Sequence, residues 1–262
     1  MLVLSPAHAP ADAQRLRQAI ERASGLRVEL VVAPSGDEAV GMVQAGRADA
    51  GLLPLFDYLY CAELFHVEPL LQVLRHGAQA DYQAELVVRA DSSVRDLAGL
   101  GGKAVGFVDR YSVTGFLLPA KMLRDAGVVV EVRWLGSHEA VVAAVRDASV
   151  AAGASYRGHA EGRTDLRVLD RSTSVANEPI FVQAALSPST RGALAKGLSA
   201  VAADATLLAG LADATGLRDV VPGTYEAARE VVAAAGRSVE DMVPGGWVRA
   251  NEHRRPLWSY GP

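Results

Sequence analysis

Two hydrophobic patterns alternate along the first part of the chain. Short runs that are mostly apolar, such as residues 28–32 and 50–53, are typical of buried strands. Between the runs, apolar residues recur every three or four positions, as in residues 11–23, which is helical spacing. This β-α-β-α-β-α alternation predicts a mainly parallel sheet with right-handed crossovers. The stretch 67–81 follows neither pattern, and we predict it to be irregular.

The same alternation begins again in the middle of the chain. We predict a strand over 104–108, a helix over 116–126, a strand over 129–135, a helix over 138–146 and a strand over 150–154. The repeated alternation predicts two similar α/β lobes rather than one continuous sheet. Two extended crossings, near residues 85–89 and 179–183, would join the lobes as a hinge.

The predicted lobes are discontinuous along the chain. Lobe one comprises residues 1–86 and 184–262, and lobe two comprises residues 87–183. Alanine-rich helices over 189–212 and 224–235 are expected to pack on lobe one. Because ligands of open α/β sheets bind outside the carboxyl ends of the strands, we expect the ligand in the cleft between the lobes.

Composition excludes several classes of protein. The chain has 262 residues, is half hydrophobic and carries a formal net charge of −4, so it lacks the basic face that a nucleic-acid partner requires. Six scattered histidines and a single cysteine, Cys61, offer no metal-ligand spacing and no internal disulfide. No apolar run approaches the roughly 20 residues of a membrane helix, and no signal peptide is visible. We therefore expect a monomeric globular protein without a cofactor or metal.

The stretch 104–115 is the strongest candidate for a binding site. An apolar strand meets a turn rich in hydroxyls and then a helical pattern, which leaves backbone N–H groups at a helix start to bind an anion. Ser112 and Thr114 could each donate a hydroxyl, and Gly115 would allow close approach of the backbone. Pro119 lacks an N–H and would clash with the carbonyl of Gly115, so we predict a loose first turn. The alternative is an ordinary capped helix with solvated hydroxyls.

A second helix start, at Ser137 and His138, repeats the arrangement. An imidazole there can donate to a ligand oxygen, although His138 could equally be a surface residue of the cap. Tyr58 and Tyr82 carry phenolic donors at positions that we place in the cleft, with a core or rim position as the alternative for each. The sequence contains no nucleophile elbow, no zinc-binding helix motif and no Walker loop, so nothing in it supports catalysis.

The sequence resembles a known family over residues 26–235. The runs GFVDRYSVTGFLLPAKMLRDAG and VRWLGSHEAVVAAVRDASVAAGA are similar to the phosphate/phosphite/phosphonate-binding proteins of ABC importers, a type II periplasmic-binding-protein family. The runs AGRADAGLLPLFDYLYCAEL, YQAELVVRADS and ANEPIFVQAALSP are similar to its first-lobe segment and its two crossings. The resemblance implies a fold of two α/β lobes joined by hinge crossings, and a binding protein rather than an enzyme.

The resemblance also implies a set of ligand contacts. In the family, hydroxyl and N–H groups of this loop hold the oxyanion, and a histidine and two tyrosines complete the shell. Carried over to this chain, the contacts are Tyr58, Tyr82, Tyr111, Ser112, Val113, Thr114, Gly115 and His138. Three positions depart from the family pattern: Val113 replaces a loop hydroxyl, Ala151 replaces an Asp, and Glu178 replaces the Asp before Pro179. Because Val113 removes one donor, we expect it to relax strict phosphate or phosphonate specificity toward a more substituted head group.

The sequence therefore predicts a receptor that captures a small oxyanion of phosphonate, phosphite or phosphate type. Its partner would be an ABC permease, and its place the periplasm or the cell surface. Two alternatives remain open at this point. One is a soluble, cytoplasmic enzyme on the same fold that acts on a small anionic metabolite, and the other is a sensor module.

Overall fold

The structure is a computed structural model that describes residues 1–75, 77–209, 211 and 214–233. The described residues form two compact units. Unit 1 contains Met1–Asp81 and Ala176–Thr224, and unit 2 contains Tyr82–Val175 and the described chain from Tyr225. Residues 234–262, which the sequence analysis assigned to lobe one, lie outside the described residues.

Strands and helices alternate in the first part of each unit, and several strands follow one another elsewhere. The strands are β1 (Leu2–Leu4), β2 (Leu30–Val32), β3 (Ala50–Leu52), β4 (Val67–Arg75), β5 (Asp81–Tyr82), β6 (Ala84–Arg89), β7 (Ala104–Phe107), β8 (Glu131–Trp134), β9 (Ala152–Tyr156), β10 (Leu166–Arg171), β11 (Val175–Ala176), β12 (Pro179–Gln183) and β13 (Ala214–Asp219). The helices are α1 (Ala13–Ser24), α2 (Gly36–Gln44), α3 (Leu55–Phe65), α4 (Leu118–Asp125), α5 (His138–Arg146), α6 (Pro188–Ala202) and α7 (Ala205–Ala209). A π-helical turn, Val113–Leu117, directly precedes α4, and residues 226–233 are also helical.

Unit 1 is built on a mixed six-stranded sheet with the order β13-β4-β12-β3-β1-β2. β1 pairs in parallel with both β2 and β3, as the alternating pattern predicted. β12, β4 and β13 are antiparallel to their neighbours. The prediction of a mainly parallel sheet therefore holds only for the half of the sheet that is built from β1, β2 and β3.

Helices α1 and α6 cover the core of unit 1. The carboxylate of Asp12 accepts a hydrogen bond from the N–H of Arg15 at 2.8 Å and caps α1, while Gly25, at φ 71°, ends it. A side chain at Gly197 would lie 3.0 Å from the carbonyl oxygen of Ile20, so glycine allows the two helices to approach closely. Apolar residues of both helices then reach the core beside the sheet, among them the buried Leu16, Ile20, Leu194 and Leu198.

Two predictions for unit 1 were wrong, and one strand of this unit was not predicted. Residues 67–75, predicted to be irregular, form strand β4, and a bulge opposite Ile180 and Phe181 accommodates Pro69. Strand β13 was not predicted, because its residues are polar and include Gly216. The single helix predicted over 189–212 is two helices, because the carboxylate of Asp204 caps α7 by accepting from the N–H groups of Thr206 and Leu207 at 3.0 and 3.2 Å.

Unit 2 is built on a five-stranded sheet with the order β10-β6-β9-β7-β8. β7 lies in parallel between β9 and β8, and its two faces carry different helices. On one face Gly106 pairs with Gly153, where a side chain would lie 2.5 Å from Val141 of α5. On the other face Phe107 packs edge-on against Phe116 of the π-turn, with ring centroids 5.2 Å apart. The chain therefore leaves β7 and β8 toward opposite faces, which opens a crevice at the carboxyl ends of these strands.

The chain passes between the units at three points. It enters unit 2 at β5 and returns to unit 1 at β11, and these two short strands pair with each other. It enters unit 2 again after Thr224, so the helical residues 226–233 belong to unit 2. The sequence analysis placed the crossings at 85–89 and 179–183, but those segments belong to β6 and β12 inside the two large sheets. Within the part of the chain that the structure describes, no helix combines the length and hydropathy needed to cross a bilayer.

Candidate anion-binding site

The loop after β7 is folded by its own side chains. The carboxylate of Asp109 accepts hydrogen bonds from the N–H groups of Tyr111 and Ser112, at 2.7 and 2.9 Å. The hydroxyl oxygen of Ser112 accepts from the N–H of Gly115 at 3.0 Å and caps the helical segment. Ser112 thus uses an oxygen lone pair in the cap, and its single O–H proton remains for another acceptor.

The first helical turn is wide, as predicted from Pro119. Its hydrogen bonds run to the fifth preceding residue, from the N–H of Leu117 to the carbonyl of Ser112 at 3.0 Å. Pro119 cannot donate, and the carbonyl of Gly115 instead accepts from the N–H of Val108 at 3.1 Å. The N–H groups of Val113 and Thr114 and the hydroxyl of Thr114 donate to no acceptor among the described residues. Together these three donors form what we call the anion seat.

Gly115 is required at its position for steric reasons. Its φ lies in the ordinary helical range, but a Cβ there would lie 2.4 Å from Cγ2 of Val108 and 2.7 Å from the hydroxyl oxygen of Ser112. A side chain here would displace the residue that caps the turn. Close approach of the Gly115 backbone to a bound anion stays a prediction.

His138 lies at the start of α5, which Ser137 caps by accepting from the N–H of Ala140 at 3.1 Å. Its Nδ1 lies 3.0 Å from the hydroxyl oxygen of Ser155, and the same oxygen lies 2.7 Å from Nδ1 of His159. Tyr156 contacts both imidazoles, edge-on to His138 at 4.9 Å and stacked on His159 at 4.6 Å between ring centroids. His138 is therefore held in a polar chain of side chains rather than exposed as a surface cap.

His138 and His159 are electrically neutral near pH 7. Burial, with a smaller contribution from His159, lowers the pKa of His138 from 6.5 to about 4, although the carboxylates of Glu139 and Asp109 oppose the shift. Burial also lowers the pKa of His159, again against Glu139. The influence of Asp109 on His138 indicates that the loop after β7 and the start of α5 lie near each other. His138 thus offers an anion one N–H and no net charge.

Sequence reasoning missed Ser155, Tyr156 and His159. They occupy the end of β9 and the turn after it, the third parallel strand end of this sheet. The rule that ligands bind at the carboxyl ends of parallel strands could have directed attention to these residues. His159 was instead grouped with the scattered histidines, because 21 residues of sequence separate it from His138.

Arg110 was also missed. Its guanidinium carbon lies 5.4 Å from the ring centroid of Trp134, and its Nε is buried without a hydrogen-bond partner among the described residues. The pair lies in a groove of about 580 Å³ at the carboxyl ends of β7 and β8. The groove is lined by Val108, Asp109, Arg110, Tyr111, Trp134, Leu135 and Gly136.

The predicted contact residues divide between the two units. Tyr82, Tyr111, Ser112, Val113, Thr114, Gly115 and His138 belong to unit 2. Tyr58 belongs to unit 1, where it lies in α3, is fully buried and stacks near Phe181 with ring centroids 6.5 Å apart. The ligand contacts of all these residues stay predictions. Among the described residues, no cluster of histidine, cysteine or acidic side chains has the arrangement of a metal site.

A family comparison places these features in context. The sequence profile of the family described as "ABC transporter, phosphonate, periplasmic substrate-binding protein" matches residues 2–227. The chain belongs to this family. The match covers both α/β units, and it confirms the resemblance found in the sequence. Members of this phosphonate-binding family serve transport as substrate-binding components.

The chain is also similar to one curated protein and to two solved structures. The phosphate-import protein PhnD of Mycolicibacterium smegmatis is 33% identical over 113 residues, 42% of this chain and 35% of PhnD, so the alignment spans about a third of that protein. XAC2383 from Xanthomonas citri, solved bound to chloride ion, has a TM-score of 0.76 at 22% identity, over 92% of this chain and 99% of its own. The same protein was also solved bound to ATP.

The second structural relative is PhnD1 from Prochlorococcus marinus (MIT 9301), solved in complex with methylphosphonate. Its TM-score is 0.64 at 17% identity, over 92% of this chain and 98% of its own. At such low identity the two structural likenesses establish the fold alone. The predicted fold class, two α/β lobes of the type II periplasmic-binding-protein kind, is confirmed.

Proposed function

We propose that this chain is the solute receptor of an ABC importer and that it captures a small phosphorus oxyanion, namely a phosphonate, phosphite or phosphate. Family membership supports the role in transport. The observation that carries the choice of ligand is the anion seat, where the N–H groups of Val113 and Thr114 start a helical segment directly after β7 without a protein acceptor among the described residues. Such a seat suits the charge and the several oxygens of a phosphoryl group.

The proposed site binds its ligand with neutral donors. The two backbone N–H groups, the hydroxyls of Ser112 and Thr114 and the Nε2–H of His138 would each donate to an oxygen of the anion. Because the pKa of His138 is about 4, this histidine contributes a hydrogen bond rather than a positive charge at neutral pH. Neutral donors bind an anion through hydrogen bonds to its oxygens rather than through its net charge. Such a site therefore prefers an anion whose oxygens lie opposite the donors over another anion of the same charge but different shape.

Val113 distinguishes this seat from the usual pattern of the family. Its side chain is 7% exposed and supplies no hydroxyl, although its N–H remains available. The number of side-chain donors in the loop is therefore lower than in the family pattern. We propose that the seat depends more on backbone donors, and that it tolerates a head group with an additional substituent.

The remaining parts of the proposal concern partners and location. We propose that the receptor works as a monomer with an ABC permease on the extracytoplasmic side of a membrane, and that it releases its ligand chemically unchanged. Support for this comes from the family, whose described role is periplasmic substrate binding. An enzyme on the same fold would instead convert the ligand. Recovery of unaltered methylphosphonate by ³¹P NMR after prolonged incubation distinguishes the two.

A thermal-shift panel followed by calorimetry tests the proposed ligand class. Methylphosphonate, phosphite or phosphate should raise the melting temperature by mass action, whereas sulfate at equal concentration should not. ATP belongs in the panel, because XAC2383 was solved with it. Thr114→Val should weaken the best ligand by about 1–2 kcal/mol, because a donor to a charged oxygen is lost. Thr206→Val, at an exposed position of α7 in unit 1, is the matched control. Absence of a shift with every phosphorus oxyanion would refute the proposal.

A further inference from the structure

Arg110 is a cation with unused hydrogen-bonding capacity beside the anion seat. It lies two positions before Ser112 in the loop after β7. Its Nε is buried, and neither this atom nor its terminal nitrogens form a hydrogen bond or ion pair among the described residues. A buried donor without an acceptor is unfavourable for the folded protein, so the position calls for a ligand group that accepts from it.

The ring of Trp134 fixes where the guanidinium lies. The guanidinium carbon is 5.4 Å from the ring centroid, within the range of a cation–π contact. Arginine stacks well on an aromatic ring because its guanidinium is planar and weakly hydrated, and its fork of donors matches a carboxylate in two places. The stacked arginine is thus oriented before any ligand arrives.

The neighbouring carboxylate of Asp109 forms no ion pair with Arg110 within the described part of the chain. Asp109 also lines the groove, but its Oδ1 accepts from the N–H groups of Tyr111 and Ser112 and is held by its own loop. The other walls of the groove are largely apolar and include Val108 and Leu135. The groove therefore combines an apolar surface with one oriented cation and one carboxylate that its own loop holds.

We propose that this groove is a subsite for the organic substituent of the ligand, and that Arg110 binds a carboxylate at the end of that substituent. The ligand class is a short alkylphosphonate that carries a terminal carboxylate. The phosphonate head would lie in the anion seat, and the carbon chain would lie along Trp134. This inference rests on the proposed function, since it assigns the second half of the same ligand.

Electrostatics and desolvation favour a ligand with a terminal carboxylate over one with a terminal ammonium group and over one with an uncharged alkyl chain. A substituent that ends in an ammonium group would be repelled by Arg110. An uncharged alkyl chain of the same length would fill the apolar walls but leave the buried Nε without an acceptor. A terminal carboxylate satisfies the arginine and can accept from two of its nitrogens.

Three ligands of matched length test the subsite. Isothermal titration of the full chain at pH 7 would compare 3-phosphonopropionate, propylphosphonate and 2-aminoethylphosphonate, with methylphosphonate as the probe of the seat alone. We expect 3-phosphonopropionate to bind about tenfold to a hundredfold more tightly than propylphosphonate, which is the range for a hydrogen bond to a charged group. We expect 2-aminoethylphosphonate to bind more weakly than propylphosphonate. Equal affinities, or affinities in the reverse order, would refute the proposed subsite.

Substitution of the arginine separates the subsite from the seat. Arg110→Gln should abolish the preference for 3-phosphonopropionate over propylphosphonate, and Arg110→Lys, which keeps the charge, should retain part of it. Methylphosphonate affinity should change by no more than about fivefold, as expected for a charge that does not touch the head group. Arg124→Gln, in the last turn of α4, removes the same charge elsewhere in unit 2 and should leave every affinity as in the wild type.

The outcomes distinguish failure of the subsite from failure of the proposed function. If methylphosphonate binds and Arg110→Gln weakens all four ligands equally, Arg110 acts only as a general charge and the subsite is refuted. If the wild-type protein binds none of the phosphonates, the seat and the subsite both fail. Thermal melting of each variant shows whether it is folded. The comparison of the ligands on the wild-type protein tests the subsite even if a variant does not fold.

Discussion

The hydroxyl oxygen of Ser155 lies 3.0 Å from Nδ1 of His138. The same oxygen lies 2.7 Å from Nδ1 of His159, so one hydroxyl connects two imidazoles. A serine hydroxyl has one proton, and it can donate to one Nδ1 while it accepts from the other. When a bound anion accepts from Nε2 of His138, Ser155 must donate to Nδ1 of His138. His159 must then carry a proton on its own Nδ1.

The first prediction follows from this arrangement. Ser155→Ala removes the group that fixes the tautomer of His138, so methylphosphonate affinity should fall by about 1–2 kcal/mol. Imidazole ¹⁵N chemical shifts should reveal a mixture of tautomers at His138 in the variant and a single Nε2–H form in the liganded wild type. A purely structural role for Ser155 would leave the ¹⁵N pattern of the ligand complex unaltered.

Ser149→Ala is a suitable comparison for that measurement. Ser149 is exposed in the same unit and bonds only to Asp147 among the described residues. Both the affinity and the ¹⁵N shifts of this variant should match those of the wild type. An equal loss of methylphosphonate affinity in Ser149→Ala and Ser155→Ala would contradict the assignment of Ser155 as a positioning residue.

The second prediction concerns pH and the stability of the fold. The pKa of His138 is lowered from 6.5 to about 4 by burial, so between these values the unfolded chain binds a proton that the folded protein does not. Stability should therefore decrease as pH falls from 6.5 toward 4, by up to about 3 kcal/mol from His138 if its whole shift contributes. The lowered pKa of His159 also makes the fold less stable as pH falls. The carboxylate of Glu139 opposes both pKa shifts, and the charge of Arg163 adds to the pKa shift of His159.

Urea denaturation at pH 7 and pH 4.5 measures this effect. His138→Gln should reduce the difference between the two pH values, since glutamine does not titrate. His66→Asn, at the exposed end of α3, should leave the difference as it is in the wild type. A pH dependence that His138→Gln leaves intact would assign the effect to other groups.

The third prediction concerns a buried ionic cluster in unit 1. His8 Nε2 lies 3.0 Å from Glu178, Arg75 forms a salt bridge with the same carboxylate, and Ser5 bonds to the other side of His8 at 2.7 Å. Burial alone would raise the pKa of Glu178, but the hydrogen bond from His8 and the charge of Arg75 lower it to about 2. The carboxylate therefore stabilises the fold above its unfolded pKa of 4.5, and this contribution is lost as pH falls from 4.5 to 2.

Glu178→Gln should lower the free energy of unfolding by about 3 kcal/mol, because it removes a buried carboxylate from its ion pair with Arg75 and its hydrogen bond with His8. Glu68→Gln removes an exposed carboxylate that pairs with Arg191, and it should change stability by less than about 1 kcal/mol. Chemical denaturation at pH 7 compares the two variants. A loss for Glu178→Gln no greater than that for Glu68→Gln would show that the cluster is not stabilising.

The fourth prediction tests the steric role of Gly115. In Gly115→Ala the new methyl group would collide with Cγ2 of Val108 at 2.4 Å and with the hydroxyl of Ser112 at 2.7 Å. The cap should open, and methylphosphonate affinity should fall by at least about tenfold, as expected when several aligned donors are displaced together. Isothermal titration gives the result directly.

Gly192→Ala is the opposite case. Nothing lies within 4 Å of the added carbon, and the residue is inside α6, so stability should rise by about 0.5–1 kcal/mol. Ligand affinity should remain at the wild-type value. If Gly115→Ala binds methylphosphonate as tightly as the wild type does, the loop tolerates a different backbone path and the steric role of Gly115 is contradicted.

The sequence predicted those features that local patterns determine. The periodicity of apolar residues identified β7, β8 and β9 with their helices, because each element buries one face of its own. The wide first turn followed from Pro119, since the missing N–H and the ring are properties of that residue alone. The anion seat could be proposed from the sequence because Ser112, Thr114 and Gly115 lie within four consecutive residues.

The features that the sequence did not predict depend on partners far apart in the chain. Strand β4 contains Pro69, which argues against a central strand, and only the bulge in its pairing with β12 makes the strand possible. His138 and His159 meet through Ser155 because α5 packs beside β9. Arg110 gains its role from Trp134, which lies at the end of a different strand. No local pattern contains such relationships.

The Asp109 carboxylate has a consequence for the speed of binding. By holding the N–H groups of Tyr111 and Ser112, it maintains the loop in its folded path through an intramolecular anion. The arriving ligand does not have to order this segment, so little conformational entropy is lost at that step. Association at the loop is then limited by the encounter and orientation of the ligand rather than by a slow rearrangement of the backbone. We therefore expect a receptor with this loop to associate with its ligand at a rate set by diffusion and orientation.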